Sequence, residues 1–259
     1  MSEKLLFVLP EYWEETLHAI SVIMQYLETR VVVGRTMEKV TIKCPDQLQS
    51  FVKACWWPAE VVTELTEEHK DADLVVDFDT DVAYELAVAQ KKYLSDVYAI
   101  QLGVGLLRIL PPIAVENYKE ESGYVLVVER NKHDRPLIGA EWMAQREKFI
   151  EIGQENDIQM GYLDGGAYWK ETLSAVGRAS VVVGIRGTAT MVAASAGKIV
   201  LELASSSWEH QNWMGKWHNR NFSMAYGKIE DMSPEMLWEK LRTMVEKGTR
   251  FNRPEVVNV

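Results

Sequence analysis

Along the chain, short apolar runs alternate with longer stretches in which apolar residues recur every three or four positions. Leu5-Leu6-Phe7-Val8-Leu9, closed by Pro10, predicts a strand buried on both faces. Leu17, Ile20, Met24 and Leu27 follow at helical spacing, and Val31-Val32-Val33-Gly34 reads as a return to strand. A short strand over Val40-Thr41-Ile42, a stronger one over Ala72 to Asp77, a helix over Val82 to Leu94 and a strand at Val97-Tyr98-Ala99-Ile100 complete the first half. The pattern pauses across Pro111-Pro112 and the polar stretch Glu116 to Gly123, then restarts at Tyr124 to Val128. Helix over Glu141 to Ile152, strand over 157–163, helix over Trp169 to Val176, strand over Ser180 to Gly184 and strand over Lys198 to Leu203 follow. Ser233 is a good N-cap with Pro234 behind it, and Leu237, Leu241, Met244 and Val245 form the buried stripe of a last helix.

Strands alternating with helices of this length predict parallel sheets, so the fold class is α/β. The break in the pattern divides it into two Rossmann-like parallel-sheet domains: 1–110, a linker 111–123, a second domain 124–247, and a tail 248–259. Such domains are expected to face one another across a working cleft.

Composition narrows the function classes. The chain has 259 residues, 47% hydrophobic and 25% charged, which is ordinary for a globular protein. A formal charge of −10 argues against a broad nucleic-acid surface, which needs Lys and Arg to neutralise phosphates. Cys44 and Cys55 are the only cysteines and have neither metal-like nor disulfide-framework spacing, which suits a reducing compartment. The N-terminus runs straight into an apolar segment followed by Glu11, Glu14 and Glu15, unlike a signal peptide, and no apolar run approaches the ~20 residues of a membrane span. A cytoplasmic protein is expected, and an oligomer is compatible with the sequence.

Four segments carry candidate chemistry. Val181 to Gly197 reads as a strand, a Gly187-Thr188 turn and a small-residue helix, an arrangement that offers backbone N–H groups to a diphosphate. The same small residues would also serve tight helix packing alone. Arg130, Lys132 and Arg135 put three cations within Arg130 to Arg135, at the carboxyl end of the second half's first strand; a solvated charged loop is the plainer alternative. Glu14 and Glu15 open the first helix, with His18 one turn on, so a carboxylate there is a candidate general base, against the simpler reading that Glu caps a helix start. The Trp208 to His218 loop offers Trp faces and polar groups for a sugar, with Trp208 and His210 as candidates. His210 and His218 lack a third ligand at a recognised spacing, so no metal site is expected. No P-loop, G-x-G-x-x-G after the first strand, or G-x-S-x-G elbow is present.

Over most of its length the chain resembles glycosyltransferase family 9, the ADP-heptose:lipopolysaccharide heptosyltransferases. Leu5 to Leu27 is similar to that family's opening strand and helix, Ala72 to Phe78 to its "adlvidl" strand, Val125 to Glu151 to the first strand and helix of its donor domain, and Leu163 to Gly197 to its "g-x-d-[ST]-G-x-x-H" segment. Arg186 stands where that family has Asp or Ser, and Met191 where it has His. The resemblance implies a GT-B-like fold, metal-independent transfer from a nucleotide-diphosphate sugar held by the second half, and an acceptor held by the first. Glu15 would be the base, and Arg130, Lys132, Arg186, Gly187, Thr188 and Ala189 would bind the nucleotide sugar. Glu14, His18, Trp208 and His210 would contact substrate. No cofactor is expected besides the nucleotide sugar as substrate. An inactive GT-B-like binding or scaffold protein and a nucleotide-sugar epimerase remain as alternatives.

Overall fold

The computed structural model describes residues 3–34, 36–54, 59–78, 81–105, 120–136, 145–204, 224–228 and 232–250. The chain divides into two compact units, Met1–Pro112 together with His133–Arg135, and Ile113–Lys132 with Pro136–Val259.

The first unit is built on a four-stranded parallel sheet in the order β3-β2-β1-β4. Its strands are β1 (Glu3–Val8), β2 (Met37–Lys43), β3 (Glu60–Val62) and β4 (Leu74–Asp77), and its helices are α1 (Trp13–Val32), α2 (Gln49–Ala54), α3 (Asp81–Gln90) and α4 (Leu94–Leu102). β1 lies between two neighbours, which is why its apolar run is buried without alternation. Phe7 of β1 packs edge-on against Tyr26 of α1 and stacks with Phe78, which in turn meets Tyr98 of α4 edge-on at 4.9 Å. α1 is enclosed from Trp13 to Leu27 on every face, the polar residues Glu14, Glu15, His18, Ser21 and Gln25 included.

Two expected strands are helical. Val31 and Val32 finish α1 and are exposed; Gly34 at φ +72° ends the helix, with its N–H donating to the Val31 carbonyl at 3.0 Å. Val97 to Ile100 belongs to α4, which stops at Gly103 in the left-handed region at φ +63°. Both errors have one physical cause: a short run of β-branched or aromatic residues fits a buried helix turn as well as a strand, and the Gly that follows marks a helix end.

The second unit carries a five-stranded parallel sheet in the order β6-β5-β7-β8-β9. Its elements are β5 (Val125–Val128), α5 (Arg146–Glu155), β6 (Met160–Leu163), α6 (Trp169–Arg178), β7 (Val181–Ile185), α7 (Thr188–Ser195), β8 (Ile199–Ala204), β9 (Met224–Lys228) and α8 (Pro234–Arg250). One sheet face, through Val125, Val127, Val183, Ile185, Leu201 and Leu203, packs on Phe149 of α5 and on Leu237, Leu241 and Met244 of α8. The small-residue helix α7 lies against β7 and β8. Among the described residues no helix is long and apolar enough to cross a membrane.

Candidate functional site

In each unit the strand order fixes where a ligand crevice should lie. The first sheet grows from β1 to β2 and β3 on one side and to β4 on the other, so its topological switch point is beyond the carboxyl ends of β1 and β4. α1 and α3 begin there. The amide of Trp13, one of the first-turn donors that a helix cannot satisfy itself, donates to the His133 carbonyl at 3.1 Å, and the Thr16 hydroxyl donates to the Pro10 carbonyl at 2.7 Å. The Trp13 indole stacks on the His133 ring at 4.7 Å and 14°.

Those contacts seat His133–Arg135 in the first unit, and Arg135 fills the switch point. Its Nε donates to Glu15 and its Nη2 to Asp81 at 2.8 Å, while the guanidinium lies 4.6 Å from the Tyr12 ring centre and 4.0 Å from that of Tyr84. Glu15 is 2% exposed. Burial, which disfavours a charged carboxylate, outweighs the hydrogen bond and charge of Arg135 and lifts the Glu15 pKa to about 7. Burial also works against the Arg135 charge, but the two carboxylates overcome it and raise its pKa. Glu14 and His18 are enclosed at 0% and 1% exposure.

In the second sheet the switch point lies between β5 and β7, and there the structure gathers Arg130, Arg186, Gly187 and Thr188. Arg130 Nη1 donates to the Arg186 carbonyl. The Gly187 N–H donates to Thr190 Oγ1 at 3.1 Å, and that hydroxyl lies 3.0 Å from Oε1 of Glu202, a strand carboxylate with no solvent exposure. Two glycines permit the close approach. A Cβ on Gly184 would sit 2.1 Å from the Val128 carbonyl oxygen, and one on Gly165 would sit 2.5 Å from that of Arg130. The loop is tied further by Asn131 Nδ2 to the Ala167 carbonyl at 2.8 Å, by the Lys132 N–H to the Gly165 carbonyl at 2.8 Å, and by Glu129, which accepts from the Gly165 N–H at 3.0 Å. Lys132 is exposed, its ammonium 5.9 Å from the Tyr168 ring centre. Arg186, Thr188 and Ala189 are buried. Trp208 and His210 lie outside the described residues.

Sequence reasoning missed the partners. Arg135 was legible as a cation of the 130–135 run, but the structure seats it with Glu15 instead of beside Arg130. Nothing in the pattern announced Asp81, Tyr84, Thr190 or Glu202, although an acid inside the apolar run Ile199 to Ala204 is itself a signal. Among the described residues no group of three His, Cys, Asp or Glu could hold a metal ion.

No family model matches the chain, and no curated protein matches it in sequence. Solved structures do match in fold. E. coli heptosyltransferase WaaC with ADP superposes with a TM-score of 0.57 at 9% identity, over 96% of this chain and 100% of that one. The dodecameric, iron-containing glycosyltransferase TibC from enterotoxigenic E. coli gives 0.62 at 10% identity over 96% and 76%. The glycosyl transferase family 9 protein from Veillonella parvula gives 0.61 at 10% identity over 95% and 97%. The chain shares the fold of family 9 heptosyltransferases. That is the GT-B-like α/β architecture expected from the alternating pattern, reached with very little sequence in common.

Proposed function

We propose that this chain is a metal-independent glycosyltransferase that moves a sugar from a nucleotide-diphosphate sugar to an acceptor hydroxyl. The observation that carries the reading is the convergence of the Arg130–Lys132 loop and the Gly187-Thr188 turn at the switch point of the second sheet, where an open α/β sheet takes its ligand. Arg130 brings a planar fork suited to phosphate and Lys132 a compact ammonium. In this reading Glu15 takes the proton from the acceptor hydroxyl as its oxygen attacks the anomeric carbon. The bond from that carbon to the diphosphate breaks, and the cations stabilise the charge on the departing nucleotide diphosphate. A carboxyl with a pKa of about 7 suits a base working near neutral pH. The first unit would hold the acceptor.

The test is thermal denaturation of the full chain with a panel of nucleoside diphosphates and nucleotide sugars. A ligand at 100 times its dissociation constant adds about 2.7 kcal/mol; a selective rise in Tm is expected, and no rise with any of them overturns the donor site. A second reading, a nucleotide-binding protein without transferase activity, draws on the enclosure of Glu15 and its ion pair with Arg135. It requires nucleotide binding without sugar-dependent release of nucleoside diphosphate.

A further inference from the structure

The first unit contains a cavity of about 360 Å³ at the carboxyl ends of β1, β2 and β3, which shares His133 with the switch point of that unit. Its lining includes Glu11, Lys43, Asp46, Gln47, Thr63 and His133. Three features bear on its occupant. Its volume lies at the small end of the ligand-site range of about 300–1,000 Å³, which fits a molecule of about one or two sugar rings. Its lining is mostly polar and of no single sign: two carboxylates, an ammonium, an imidazole, a hydroxyl and a primary amide. Finally, the side chains of Lys43, Asp46, Gln47 and Thr63 make no hydrogen bond or ion pair within the described residues, and Lys43 and Thr63 are half-buried.

We propose that this cavity is a binding site for a neutral polyhydroxylated molecule. A hydroxyl both donates and accepts, so a polyol can satisfy an ammonium, a carboxylate, an amide and a hydroxyl together. An anionic ligand would be opposed by two carboxylates, Glu11 and Asp46, and a cationic one by the Lys43 ammonium, whereas a neutral polyol is opposed by none. If the transferase reading holds, and in that respect only the inference rests on it, the occupant is a neutral sugar of the acceptor.

The experiment is saturation-transfer NMR on the full chain with glucose, galactose, maltose and lactose, and with glucose 6-phosphate and glucuronate as charged counterparts. Transfer to one or more neutral sugars is expected, with affinity reduced about 10- to 150-fold by Lys43→Met and by Asp46→Asn, since a hydrogen bond to a charged group contributes about 1.5–3 kcal/mol. Thr63→Val, which removes a hydroxyl and no charge, should weaken the same sugar, and equal Tm values certify that the variants fold. The proposal is overturned by silence from all four neutral sugars, by tighter binding of the charged ones, by variants that bind as wild type does, or by displacement of the sugar with ADP. Failure of nucleoside diphosphates to raise Tm would remove the donor reading and leave this result standing.

Discussion

Replacing Glu15 with Gln should remove a pH dependence from the stability of the chain. In the folded state this carboxyl holds its proton to about pH 7, whereas its ordinary pKa is 4.5. Between those values the folded state binds one more proton than the unfolded state, so stability falls as pH rises. The loss begins near pH 4.5 and is complete above about 7. Each pH unit of separation is worth about 1.4 kcal/mol, so ionising Glu15 costs the fold about 3 kcal/mol, a large share of the 5–15 kcal/mol typical of a domain. Urea denaturation at pH 5, 6, 7 and 8 reads this directly. Wild type should lose midpoint concentration across the series, and Glu15→Gln should lose less, by an amount worth about 3 kcal/mol at pH 8. Arg135→Gln removes the interaction that now pulls the pKa down, so its decline should extend to higher pH than in wild type. Equal declines in wild type and Glu15→Gln would refute the assignment of the titrating group and, with it, the fitness of Glu15 as a base near neutral pH.

Other substitutions probe the second unit and the thiol. Gly184→Ala drives a methyl to within 2.1 Å of the Val128 carbonyl oxygen, where overpacking should cost about 1–3 kcal/mol, visible as a lower Tm; an unchanged Tm would contradict the close approach. Thr190→Val leaves Glu202 buried without the hydroxyl at 3.0 Å and should cost about 1–3 kcal/mol, while Thr190→Ser should restore most of it. Burial pushes the Cys44 thiol up to about 12, so in peptide-mapped alkylation at pH 8 it should react slowly in the native chain and readily in urea.

The α/β architecture was legible because buried parallel strands write themselves as uninterrupted apolar runs. Leu5 to Leu9, Val125 to Val128 and Val181 to Ile185 each overlap a strand of the structure. Val31 to Gly34 and Val97 to Ile100 misled because their length carries no period, and only the left-handed glycines at 34 and 103 separate helix end from strand. At the site, Arg130 and the Gly187 turn could be paired by their places at strand ends, since topology brings those ends together. The partner of Glu15 could not. Arg135 is 120 positions away along the chain, and only tertiary structure selects it from the cations of its run. Glu14 and His18 show the converse: a polar residue at a helix start need not reach solvent when that part of the helix, here Trp13 to Leu27, is enclosed on every face.

The seating of His133–Arg135 in the first unit has a consequence for the order in which the chain is made. When the first 112 residues have left the ribosome, α1 and α3 can form, but the Glu15 carboxylate, the Trp13 amide and the Tyr12 and Tyr84 rings still lack the contacts that His133 and Arg135 supply. The unit named by its N-terminal residues is therefore finished late, after β5 has been synthesised. Vectorial synthesis, which usually completes an N-terminal domain first, here leaves its switch point open until the second half is under way.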